Sequence, residues 1–121
     1  MIDKDHKGYH KTIVWQKMKE LLIVTYKLVD KLPKSEEFGL KSQMRRAIVS
    51  AISNFVEGYL KRSAKEKSHF MEISQTSLME LEAQSEICLM LNFWDDRDYE
   101  NFDRKHRIAS YFLGRYKSKV I

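Results

Sequence analysis

At 121 residues, with one proline, four glycines and one cysteine, the chain can build a single domain around a real core without metal or disulfide staples. Apolar residues at 43% and charged residues at 32% fit a soluble helical protein, and no apolar run reaches the length of a membrane span or reads as a secretory leader. The net charge of +5 points toward polyanions only if the cations gather in one place.

A first helix is predicted over about Tyr9 to Lys31. Val14, Met18, Leu21, Thr25, Leu28 and Leu32 recur at spacings of four and three, and Trp15, Leu22 and Val29 widen the stripe. Lys17, Lys19, Lys27 and Lys31 take much of the remainder. Pro33 closes the helix, because its ring disfavours helical geometry at the residue before it. The connection from Pro33 to Gly39 is short and polar, so a second helix, about Leu40 to Arg62, doubles back on the first. This helix carries polar residues among its apolar ones, as expected of a helix buried on more than one side with a specified polar contact inside. Leu40, Met44, Ile48, Ala51, Phe55 and Tyr59 form one row, and Ala47, Ala51, Asn54 and Gly58 form a row of small side chains that a neighbouring helix can approach closely. Gly58 costs about 1 kcal/mol against alanine in a helix interior. Close packing would account for it, and so would a bend or an end of the helix.

Ser63 with Glu66 three residues later is a capping box that starts a third helix almost at once, continuing to about Asn92. Phe70, Ile73, Leu78, Leu81, Ile87 and Leu91 supply core, interrupted by Ser77, Glu80 and Gln84. Phe93 to Asp96 makes the next turn, with Asp95 or Asp96 able to cap a fourth helix that runs from about Asp96 to Lys119. That helix uses Phe102, Ala109, Phe112, Leu113 and Tyr116. Four helices joined by short turns predict an all-α, antiparallel up-down-up-down four-helix bundle, one domain over residues 1–121. The first eight or so residues are expected to fray.

Antiparallel pairing about the turn at positions 62 and 63 puts Arg45 level with Glu80, and Gln43 level with Glu82. Arg45 or Arg46 with Glu80 or Glu82 therefore reads as an interhelical ion pair that fixes register. The alternatives are solvated pairs on an outer face, worth under about 1 kcal/mol each, or a ligand-binding role. Glu66 with His69, and Asp103 with His106, have the Glu-x-x-His-like spacing of a di-iron bundle, but the two halves lie about 21 Å apart along the axis. His6 and His10 are also four apart, in a lysine-rich segment. No metal or cofactor is expected. Cys88, inside the apolar run Ile87 to Leu91, reads as a reduced core thiol of a cytoplasmic protein. No nucleophile elbow or phosphate-cradling glycine loop is present, so nothing argues for an enzyme.

Charge placement is more informative. One pole of the bundle collects Lys4, Lys7 and Lys11, then Lys61, Arg62, Lys65 and Lys67, then Arg115, Lys117 and Lys119. The other collects Glu36, Glu37, Asp95, Asp96, Asp98 and Glu100, diluted by Lys31, Lys34 and Arg97. Tyr59, His69 and Tyr116 fall near the basic pole as stacking groups for a nucleic acid. A solvated end that aids solubility is the plainer alternative. Val49, Ile52 and Val56, with Met71, Met79 and Met90, exceed what one thin bundle can bury and point to a homo-oligomer interface.

Several local strings are also familiar in their order: Trp15-Gln16, Leu32-Pro33-Lys34, Phe38-Gly39-Leu40, Ser42 to Ala47, Val49-Ser50, Asn54, Glu57-Gly58, and Ser77-Leu78-x-Glu80-Leu81-Glu82. Together they resemble the bacterial four-helix bundle family of 23S rRNA intervening-sequence proteins. The resemblance implies an up-and-down bundle that assembles as a ring-like homopentamer, with no established enzymatic activity. Some members of that family are encoded inside insertions of the 23S rRNA gene, and a related branch serves as accessory protein to the reverse transcriptase of diversity-generating retroelements. The chain departs from the family at Ala51-Ile52-Ser53, where Ile-Pro-Ser is common, and at Val56, where alanine is usual. Losing the proline is expected to straighten the second helix and alter the packing of neighbouring subunits. The functional expectation is a non-enzymatic, homo-oligomeric, RNA- or DNA-associated accessory protein acting through its basic surface. The competing class is a protein-interaction module that docks a polymerase or ribosomal partner without touching nucleic acid.

Overall fold

The computed structural model describes residues 7–120; Lys4 and His6 of the sequence analysis, and nearly all of the segment expected to fray, lie outside them. Four helices run through the described residues: α1 (Ile13–Val29), α2 (Leu40–Leu60), α3 (Ala64–Met90) and α4 (Asp96–Val120). Short 3-10 turns at Gly8–Lys11 and Lys34–Glu36 precede α1 and α2. Sequential neighbours pack on one another, α1 also packs on α4, and α2 with α3 is the most extensive pair. This is the up-down-up-down bundle that the periodicity predicts.

Local chemistry sets each helix end. α1 starts later than the periodicity alone implies because Thr12, in extended geometry, accepts the Trp15 amide on its hydroxyl and so acts as the cap. Glu36, in the 3-10 turn, accepts the Leu40 amide at 3.1 Å and caps α2 from outside. Ser63 accepts the Glu66 amide at 3.1 Å and starts α3 as the capping box predicts. α3 stops at Asn92, whose φ of 61° is left-handed. There Phe93 donates to Cys88 O at 2.9 Å and Asn92 to Leu89 O at 3.1 Å, the two bonds of a Schellman motif. Asp95 rather than Asp96 caps α4, taking the Asp98 amide at 2.8 Å.

The core runs the length of the bundle, with Val14, Met18, Leu21 and Leu28 of α1 facing Met44, Ile48, Ala51 and Phe55 of α2. Leu78, Leu81 and Cys88 of α3 and Phe102, Ala109 and Leu113 of α4 complete it. Ile87 and Leu91, expected in the core, are instead exposed, because they lie on the side of α3 turned away from the other helices. Two residues enter the core against expectation. Met71, expected on an oligomer interface, is fully buried against Gly58, because α2 and α3 approach more closely there than a larger residue would permit. Trp94, expected in a turn, folds inward, donates its indole N–H to Leu28 O at 2.8 Å and packs on Phe102. It ties the α3–α4 turn to the end of α1.

The small row on α2 has a reason in this packing. A Cβ on Gly58 would stand 2.5 Å from Met71 Cε, 2.9 Å from Phe70 Cβ and 3.2 Å from the Lys67 carbonyl. Gly58 is thus a contact point between helices, and α2 ends only two residues later. The polar contact predicted inside α2 also exists, with different members. Ser50 and Ser77 hydroxyls meet at 2.8 Å, Asn54 donates to Ser50 O at 2.8 Å, and Ser74 donates to Ala51 O at 2.6 Å.

Candidate nucleic-acid interface

One end of the bundle brings together the Gly8–Lys11 turn, the α2–α3 connection and the end of α4. Tyr59, near the C-terminus of α2, is its hub: Tyr9 lies 6.2 Å away edge-on, and Tyr116 stacks on it at 6.2 Å. Burial, then the nearby Tyr59, pushes the Tyr116 hydroxyl pKa up. These rings are mutually engaged and half-buried. His69 is exposed and sits edge-on to Phe70.

The seven basic residues expected at this pole divide by what they already touch. Lys67 turns back to donate to Tyr59 O at 2.7 Å and lies over the Tyr59 ring, satisfying a carbonyl that the end of α2 leaves open. Lys117 bridges α4 to α3, reaching Glu72 at 3.4 Å and Gln75 at 3.3 Å. Lys61 pairs loosely with Glu57 at 3.8 Å and covers Phe70. Arg115 is exposed and donates to the Tyr111 hydroxyl at 3.2 Å. Arg62, Lys65 and Lys119 are exposed and make no ion pair or side-chain hydrogen bond among the described residues. The same holds for Lys7 and Lys11. The end as a whole is cationic, with Arg62, Lys65 and Lys119, together with Lys7 and Lys11, free of partners among the described residues.

The opposite end is acidic and partly neutralised. Lys31 meets Asp98 at 2.8 Å, a contact that raises the lysine pKa and lowers that of the aspartate. Phe38 stands there almost entirely in solvent, 96% exposed.

The arginine pair of α2 corrects an expectation. Arg45 does not meet Glu80 or Glu82; it reaches Glu37 at 3.3 Å and Asp30 at 3.7 Å and lies over the Tyr26 ring. Arg45, then Lys41, holds the Glu37 carboxyl below its ordinary range by hydrogen bonding. Arg46, Glu80 and Glu82 are exposed and make no ion pair among the described residues. The level-matching set height along the bundle but not rotation about the helix. Ser50, Ala51 and Gly58 are points where α2 touches α3, and Arg45 lies on the α1 side.

His106, weighed as a weak metal ligand, is buried and donates Nε2–H to Leu78 O at 2.7 Å. His10 stacks on Trp15. Burial, then the Glu36 charge, pushes the Cys88 thiol up to about 12, so it stays protonated and unreactive. Among the described residues no helix is long and apolar enough to cross a membrane.

A family model described as 23S rRNA-intervening sequence protein matches residues 10–114. A solved structure from Bacteroides thetaiotaomicron, a protein with unknown function from the S23 ribosomal protein family, is similar with a TM-score of 0.79 and 19% identity, over 87% of this chain and 98% of that one. At that identity the likeness speaks for the fold. No curated protein sequence matches the chain.

Proposed function

The chain belongs to the 23S rRNA-intervening sequence protein family, and we propose that it is a cytoplasmic, non-enzymatic accessory protein that assembles with copies of itself and binds RNA through its basic end. The observation that carries this reading is the gathering of Arg62, Lys65 and Lys119 at one end without acidic partners among the described residues. Cations without partners are the ones that can replace counterions on a phosphate backbone. The stacked Tyr59 and Tyr116 already satisfy each other, so the contact is mainly electrostatic and tolerant of sequence.

Fluorescence anisotropy with a labelled single-stranded or hairpin RNA, titrated across salt concentration, tests this. Affinity is expected to fall as salt rises, with a log–log slope of about −0.7 to −0.9 for each phosphate engaged. Replacing Arg62, Lys65 and Lys119 together by glutamine should weaken binding and flatten that slope. No binding at low salt, or a slope that ignores salt, ends the reading.

A second reading has its own support in Phe38, a large apolar side chain left 96% exposed at the acidic end. That is the mark of a protein contact, as in a module that docks a polymerase or ribosomal partner. A pull-down that survives nuclease and is lost on Phe38→Ser favours this alternative.

A further inference from the structure

The basic end also holds a small crevice, on the far side of Tyr116 from the Tyr59 ring cluster. It opens between the start of α1 and the last turns of α4, with a volume of about 240 Å³. Ile13 of α1 and Tyr111, Phe112, Arg115, Tyr116 and Lys119 of α4 line it, and no acidic residue does. Pockets for whole small ligands run from about 300 to 1,000 Å³, so this one suits a single ring system.

The α4 wall is ordered along the helix. Tyr111, Arg115 and Lys119 recur every four residues and so share one stripe. Tyr111 is the most exposed of the six tyrosines, at 57%. Phe112 braces it edge-on, with ring centroids 5.1 Å apart, and it stacks on no other ring among the described residues. Arg115 lies over the Tyr111 ring at 5.9 Å and donates to its hydroxyl at 3.2 Å. That contact sets the guanidinium beside the phenol and leaves most of its donors free. Neither Arg115 nor Lys119 makes an ion pair among the described residues, so both can take a phosphate oxygen.

We propose that this crevice holds one unpaired nucleotide, its base against Tyr111 and its phosphate on Arg115 and Lys119, a site that rests on the RNA binding proposed above. Nucleobases stack on aromatic rings and on arginine planes, but only where the base is free of its own helix. A single strand or a splayed loop base therefore fits, and continuous duplex does not. Every base has a flat face, so the site tolerates any sequence. The free cations around it gather phosphate of any shape, and Tyr111 adds the preference for unpaired RNA.

Fluorescence anisotropy tests this with a labelled RNA strand free of self-pairing, and with the blunt duplex of that strand and its complement. Tyr111→Leu removes the ring and keeps the charge. It is expected to weaken single-strand binding about tenfold, with an unaltered salt slope and unaltered duplex binding. Arg115→Gln should weaken single-strand binding and reduce the slope by about 0.7, the share of one phosphate on a single strand. Tyr111→Trp should keep the affinity of the unaltered chain, and the strand should quench its fluorescence more than it quenches the unaltered chain. Should Tyr111→Leu lose helical circular dichroism, that quench decides, and its absence overturns the site. An unaltered chain that binds neither RNA at low salt overturns the RNA reading and this site together. Binding that a folded Tyr111→Leu leaves unchanged, or weakens equally for strand and duplex, overturns the site and leaves the RNA reading standing.

Discussion

Gly58 shows how one missing side chain can decide a helix pair. Alanine there gains about 1 kcal/mol of helix propensity. The added methyl, however, would lie 2.9 Å from Phe70 Cβ and 3.2 Å from the Lys67 carbonyl, neither a flexible tip that can swing aside. Overpacking costs about 1–3 kcal/mol, so Gly58→Ala is expected to lower stability by about 1–2 kcal/mol, read by thermal or urea denaturation. A stabilised variant would mean that α3 can slide outward freely. Arg45 makes the complementary point for polar residues. Its partners lie on α1 and in the α1–α2 connection, so Arg45→Ala should cost little, under about 1 kcal/mol, as for exposed pairs.

At the level of elements, the end of α3 is the most informative junction. Asn92 holds a left-handed conformation, which costs an ordinary L-residue about 1–2 kcal/mol. Asn92→Gly should therefore be neutral or mildly stabilising, whereas Asn92→Val should lose about 1–2 kcal/mol, measured as paired denaturation midpoints. The four helices themselves were legible in the sequence because a stripe at spacings of three and four leaves few alternatives. Their ends were less so: Thr12, Glu36 and Asn92 act through cap geometry that periodicity does not register. The turn formers around Trp94 predict a turn, and only the tertiary fold turns its side chain inward. Clustering of the cations at one end followed from topology and turn positions. Which of them remain free did not, since Lys67 and Lys117 are engaged by groups eight and 45 residues away in sequence.

On the scale of the whole molecule, the two ends carry opposite charge and respond differently to pH. At the acidic end, the Lys31 contact lowers the Asp98 pKa from its ordinary 3.8. Such a group contributes stability in full above its unfolded value, and that contribution disappears as pH falls through its native value. Stability should therefore decline below about pH 4, and Asp98→Asn should lower the pH 6–8 plateau toward the acid value and so flatten the decline. Salt should shrink the effect, since the Lys31 ammonium that holds Asp98 is exposed to solvent. The two tryptophans divide along the same axis. Trp94, 1% exposed, sits at the acidic end against Phe102, while half-buried Trp15 sits against Tyr9 and His10 at the basic end. With Trp15→Phe and Trp94→Phe in hand, each remaining indole emits from one extremity alone. Fluorescence can then report which end of the rod loosens first, and whether RNA added at one end is felt at the other.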